Sequence, residues 1–177
     1  QKLPFLNRDL KSQINFIFVG SLVTGKRALY AIQLVESLYR KGFDVVLNLY
    51  GEGVERNSLE EYISRNNLEK ISILNGNQTK ENLKKAYEQS HFVILPSESE
   101  GWPKAVAEGM FWGCVPVSTA VSCVSYMLDN GNRGVLLNLN LEKDILQIES
   151  LLKNENLYKS MSQKANEWSQ RYTLDVF

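Results

Sequence analysis

The chain has 177 residues, 44% apolar and 10% aromatic, which suits one domain with a proper hydrophobic core and excludes a disordered chain. Twenty Lys and Arg balance twenty Asp and Glu, so no global field draws in nucleic acid or an acidic membrane surface. The two cysteines, Cys114 and Cys123, are too few for a disulfide framework and lack the spacing of a zinc site.

After a polar lead-in over residues 1–13, INFIFVG (14–20) reads as a buried strand. RALYAIQLVESLYRKG (27–42) carries apolar residues at helical spacing before a terminating glycine. The strand, glycine loop and helix recur in DVVLNLYGEG with SLEEYISRNN, in KISILNGN with TKENLKKAYEQ, and in HFVILPS with PKAVAEGMFWG. Ser58 and Glu61 match a capping box and predict the start of the second helix. VPVST and GVLLN add two short strands, and residues 141–177 read as C-terminal helices. This alternation predicts a Rossmann-like, doubly wound α/β domain: a parallel sheet of about six strands, helices on both faces, in a single unit over 1–177. The ligand crevice of such a sheet lies beyond the carboxyl ends of its first and fourth strands.

No apolar run approaches the ~18 residues of a spanning helix, and no signal peptide is recognisable. These features and the cysteine usage predict a cytoplasmic location, with membrane association left open for a parent protein. The start at Gln1 and the abrupt YTLDVF end suggest an excised domain.

The loop after the first strand, GSLVTGKR, reproduces the G-x4-G-K of a phosphate-binding P-loop through Gly20, Gly25 and Lys26. Arg27 stands where a magnesium-ligating hydroxyl is needed, so the loop suits a diphosphate held without metal by Lys26, Arg27 and a helix N-terminus. A solvated Lys-Arg pair is the plainer alternative. In the loop after the fourth strand, Ser97 and Glu100 form a capping-box pattern, but Pro103 would break a helix begun there. Pro103 is therefore expected near the first helical position, with Trp102 as cap and Glu100 in the loop. Between Ala105 and Thr119 only Glu108 is charged, which predicts a helix buried nearly all round with one carboxylate inside it. Glu108 lies about 7.5 Å along the helix axis from Pro103, so Glu100 and Glu108 suit groups about one diphosphate apart, as in a nucleotide-sugar. A core acid paired internally is the alternative for Glu108.

Glu100-x7-Glu108 after an apolar strand ending in Pro-Ser, followed by GMFWGCVPVST, resembles the donor-site signature of retaining glycosyltransferases of GT-B architecture, family 4 in particular. GSLVTGK resembles their phosphate loop, and YTLD the end of their last helical segment. The resemblance covers nearly the whole chain and corresponds to the C-terminal, nucleotide-sugar-binding half of such an enzyme. It implies that Glu108 holds the ribose, Glu100 contacts the donor sugar, and Lys26 grips the diphosphate, with backbone near Gly101 and Trp102 touching the sugar. The loops at Gly51 to Gly53 and Asn75 to Asn77 would surround the base. Family members usually carry Arg where this chain has Ser21, and Gly where it has Arg27, so Arg27 stands in for the missing cation. Pro103 occupies a position where the family donates a backbone hydrogen bond, and Lys104 either compensates for it or is simply exposed.

The chain therefore reads as a domain binding a nucleoside-diphosphate sugar, uridine- or guanosine-linked, for transfer to a glycan or lipid-linked acceptor. The acceptor would be held by an N-terminal domain. No metal or cofactor is expected, because Glu98 and Glu100 have no evident third ligand. A non-catalytic nucleotide-binding module and a degenerate P-loop phosphotransferase are the alternatives. His91 is expected to be structural, and Trp112, Tyr126 and Trp168 to be core residues.

Overall fold

The computed structural model describes residues 5–173. Six strands form one parallel sheet: β1 (Ile14–Val19), β2 (Val45–Tyr50), β3 (Ser72–Leu74), β4 (Phe92–Leu95), β5 (Val115–Thr119) and β6 (Val135–Leu137). Their order is β3-β2-β1-β4-β5-β6, the expected doubly wound arrangement. The helices are α1 (Ala28–Arg40), α2 (Arg56–Arg65), α3 (Lys80–Gln89), α4 (Lys104–Phe111), α5 (Val124–Met127), α6 (Leu141–Leu152) and α7 (Glu155–Thr173).

The near-continuous apolar character of INFIFV and FVIL follows from burial on both faces. Phe16 and Phe18 enter the main core with Ile32 of α1, whereas Ile17 joins a second cluster with Tyr87, Val93 and Cys114. Alternate residues of β1 thus feed opposite sides of the sheet. Phe16 stacks on Phe92 with ring centroids 4.8 Å apart, tying β1 to β4. β1 pairs with β2 along its whole length, from Ile14 with Val45 to Val19 with Tyr50. Its pairing with β4 covers only Phe16 with Phe92 and Ile17 with Val93. Beyond Ile17 the β1–β4 ladder stops, and this is where the chain direction of the winding reverses.

Several boundaries differ from the sequence-based expectation. α2 begins at Arg56, and Ser58 donates back to the Glu55 carbonyl at 2.8 Å instead of capping the helix. Pro103 occupies the cap itself and Lys104 is the first helical residue. Arg27 precedes α1 in a left-handed conformation, φ 53°. α5 and a 3-10 turn at Asp129–Gly131 lie between β5 and β6, too short to show any periodicity.

The lead-in is anchored: Arg8 donates to the carbonyls of Glu88 and Trp112, each at 2.7 Å, and so ties the ends of α3 and α4 together. α7 in turn holds α4, through Ser169 to the Ala107 carbonyl and Asn166 to the Phe111 carbonyl, both at 2.7 Å. Of the YTLD stretch, Leu174 and Asp175 lie outside the described residues.

Candidate functional site

The loops after β1 and β2 are laced together. Gly20 N–H donates to the Tyr50 carbonyl, Leu22 N–H to Glu52, and Glu55 N–H back to Leu22, at 2.9–3.0 Å. A Cβ on Gly51 would sit 1.9 Å from the Gly20 oxygen, and one on Gly53 would sit 2.3 Å from the Leu22 oxygen. Both glycines are required by this backbone contact. Thr24–Lys26 forms a 3-10 turn in which the Lys26 and Arg27 amides are bonded to the Val23 and Thr24 carbonyls. Those two amides are therefore not the open phosphate cradle of a P-loop.

The β1 loop also meets the β4 loop. Glu98 N–H donates to the Gly25 carbonyl at 2.7 Å, and the Arg27 guanidinium reaches the Pro96 carbonyl at 3.4 Å. The Lys26 ammonium and the Glu100 carboxylate form an ion pair at 2.5 Å, the carboxylate side chain only 8% exposed. Ser122 donates to the Gly101 carbonyl at 3.1 Å, which pins the far end of this loop.

Above the parted ends of β1 and β4 lies a cavity of about 700 Å³. Two helices wall it, each with a stripe at helical spacing. Lys104, Ala105, Glu108 and Trp112 come from the α4 side, and Lys80, Leu83, Lys84 and Tyr87 from α3. Lys26, Glu100 and Trp102 complete the wall. Glu108 is not the core acid that its apolar neighbours suggested. Its side chain is 33% exposed, because Val106, Ala107, Gly109 and Met110 take the buried face of α4. A Cβ at Gly109 would lie 2.5 Å from a Val93 methyl, so its absence lets α4 lie directly on β4. Lys104 stands 3.6 Å from Glu108.

A second basin of about 350 Å³ adjoins the first through shared Val19 and Leu83, and Gly20, Ser21, Gly51 and Asn77 line it. Arg27, Gly53, Asn75, Gly101 and Pro103 line neither space. Asn75 is turned into the sheet edge, donating to the Asn48 side chain at 3.1 Å. Tyr87, Trp112 and the α3 lysines were not singled out as site residues from the sequence, and their i, i+3, i+4, i+7 spacing is the signal that could have found them. Trp112, expected in the core, lines the cavity with the Lys84 ammonium 5.0 Å from its ring centre. Tyr126 is 60% exposed, also contrary to expectation, whereas Trp168 is buried.

His91 sits at the opposite end of β4. Its Nδ1 accepts from Asn15 N–H at 3.0 Å, and Nε2–H donates to the Asp9 carbonyl at 2.9 Å, so it serves the fold. Both cysteines are free, and burial pushes the Cys114 thiol up to about 12. Among the described residues no three or more His, Cys, Asp or Glu side chains are grouped to hold a metal ion, and no helix is long and apolar enough to cross a membrane.

This geometry has relatives. The chain is 27% identical over 160 residues to an uncharacterized glycosyltransferase of Methanocaldococcus jannaschii, covering 90% of this chain and 44% of that protein. It spans less than half the length of the curated relatives it matches. Among solved structures it resembles the C-terminal domain of a glycosyl transferase group 1 protein, LpcC, from Francisella tularensis, with TM-score 0.79, 17% identity and coverage of 90% and 86%. A point mutant of S. aureus TarM, in complex with fondaparinux, alpha-GlcNAc-glycerol and UDP, gives TM-score 0.79 at 23% identity, covering 94% of this chain and 34% of TarM. The fold is therefore that of the C-terminal domain of GT-B glycosyltransferases. The family model for glycosyl transferases group 1 matches residues 5–168, and the chain belongs to that family.

Proposed function

We propose that this chain is the donor-binding domain of a retaining glycosyltransferase, taking a nucleoside-diphosphate sugar and passing the sugar to a glycan or lipid-linked acceptor held by a second domain. The observation that carries the reading is the convergence of Lys26, Glu100 and Glu108 on one cavity at the reversal of the sheet order. Lys26 supplies charge for a diphosphate, and the partly exposed Glu108 offers two acceptor oxygens to a ribose diol. Glu100, already paired with Lys26, lines the same cavity and is the group assigned to the donor sugar. The solved TarM complex with UDP is consistent with this assignment.

When the nucleoside diphosphate departs, negative charge grows on its phosphates, and a cation fixed nearby stabilises that charge as it develops. Lys26 is the first candidate for this role. Arg27 is the second, provided its guanidinium leaves the Pro96 carbonyl, and Lys104 borders the same cavity. The acceptor hydroxyl must be brought to the anomeric carbon by groups outside this domain, and such positioning supplies several kcal/mol of rate enhancement.

Calorimetric titration of the 177-residue chain with uridine and guanosine diphosphates, with magnesium and with chelator, tests the reading. Binding of one of them unaffected by chelator is expected, weakened by about 1.5–3 kcal/mol in Glu108→Gln while the melting temperature holds. A requirement for metal together with a preference for a triphosphate would favour phosphotransfer instead. Acceptor-dependent transfer is expected only from a chain that includes a second domain, and turnover by this domain alone would overturn the division of labour.

A further inference from the structure

The ring of Tyr87 is clamped among Ile17, Val93 and Cys114 and the residue is 2% exposed, yet its hydroxyl makes no hydrogen bond of good geometry, the acceptor that bears on it being the nearby Glu108 carboxylate. A buried hydroxyl left unpaired destabilises a fold, and phenylalanine would fill the same space without that cost. Packing alone therefore gives no reason for tyrosine here, and the one group that does is Glu108. Tyr87 does, however, line the main cavity, on the wall facing Glu108. Burial first, then the charge of Glu108, the neighbouring Cys114 and the approach of the phenol to the Glu108 carboxylate, push its pKa well above the ordinary value, so the phenol keeps its proton and is a donor aimed at that carboxylate. Glu108 is the opposite kind of group: a carboxylate one-third exposed, 3.6 Å from the Lys104 ammonium.

We propose that Tyr87 is a positioning residue whose hydroxyl donates to one oxygen of Glu108 when the vicinal diol of a nucleoside diphosphate engages the other. The proposal rests on the nucleotide-sugar reading of the same cavity. Its physical basis is entropic. The phenol is already immobilised by packing on both sides, so closing this bond freezes the carboxylate at no further cost in tyrosine rotamers. The carboxylate held on one side presents its remaining lone pairs in one direction, and a diol needs two acceptor positions at fixed spacing. Inorganic pyrophosphate, which has no diol, makes no use of the arrangement.

The test compares wild type, Tyr87→Phe, Glu108→Gln and the double variant, titrated with uridine or guanosine diphosphate, whichever binds the wild type, and with pyrophosphate. Tyr87→Phe is expected to weaken nucleoside diphosphate binding about fivefold. It should leave pyrophosphate binding unchanged and melt no earlier than wild type. The double variant should bind as Glu108→Gln does. Unchanged nucleotide binding in Tyr87→Phe, equal losses for pyrophosphate, or losses that add in the double variant would each overturn the proposal, as would earlier melting. A wild type that binds neither nucleotide overturns the functional reading itself, and is distinguished by failing before any substitution is made.

Discussion

Lys26 and Glu100 meet at 2.5 Å across the gap where β1 and β4 part, so the cation proposed for the diphosphate is neutralised by the acid proposed for the sugar. The two residues come from separate loops, 74 positions apart in the chain, and the pair joins the Glu98–Gly25 and Arg27–Pro96 contacts in closing those loops against each other. A diphosphate bound there as proposed would have to compete with a carboxylate for the same ammonium.

Replacing that carboxylate by an amide should therefore strengthen the binding of a bare anion. Glu100→Gln is expected to raise pyrophosphate affinity about two- to fivefold, since a partly exposed ion pair is worth up to about 1 kcal/mol. Lys26→Ala should lower it about tenfold or more through loss of a charge-assisted contact. Calorimetry at fixed ionic strength reads both, and an unchanged affinity in Glu100→Gln would show that the pair does not screen the site.

Gly53→Ala probes the lacing of the β1 and β2 loops at a residue that itself lines neither cavity. With 2.3 Å between the new Cβ and the Leu22 carbonyl oxygen, the loops must separate. The expected loss is about 1–3 kcal/mol of stability, measured by urea denaturation. A midpoint equal to that of wild type would mean the contact yields freely.

Arg27 is an ordinary residue in a conformation that suits glycine. Arg27→Gly and Arg27→Ala remove the same guanidinium and its contact with Pro96. The glycine variant is nonetheless expected to be the more stable, by about 1 kcal/mol, because only alanine keeps the left-handed strain. Melting temperatures in the reverse order would contradict the backbone argument.

Acid should loosen the fold through His91. Burial above all holds its folded pKa below the ordinary value of 6.5, so the unfolded chain takes up the proton first as pH falls. Stability from this group is complete above about pH 6.5 and is lost as pH drops from there toward the folded pKa. Protonation of Nδ1 also removes the acceptor for Asn15 N–H. Urea midpoints from about pH 7 to about pH 5 should fall in wild type and fall less steeply in His91→Gln.

The architecture was legible because the strands are short, mostly apolar runs and each long helix shows clear periodicity, from INFIFV to the two C-terminal helices. Glu100 and Lys26 were legible for a similar reason: both sit in short loops whose place beyond the sheet is dictated by strand order. Glu108 does line the cavity but its burial was misjudged, since apolar neighbours in sequence say nothing about which side of a short helix meets a cleft. The α3 wall escaped notice because Lys80, Leu83, Lys84 and Tyr87 make an unremarkable amphipathic stripe until a second helix faces it. Gly51 and Gly53 were assigned to the base on resemblance, whereas their evident demand comes from contact between two loops. Trp112 looked like core because aromatic spacing does not distinguish an interior from the lining of a cavity.

The anchoring of α4 by Ser169 and Asn166 links parts of the chain that are far apart in sequence. The eight-residue helix that carries Glu108 is too short to persist alone, so its opening is governed by the helix that grips its carbonyls. Amide protons of α4 and α7 should consequently exchange with solvent as one cooperative unit, and Ser169→Ala should speed exchange in both while β2 keeps its protection. The rigidity of the Glu108 backbone is thus set some sixty residues downstream, in a helix that lines neither cavity.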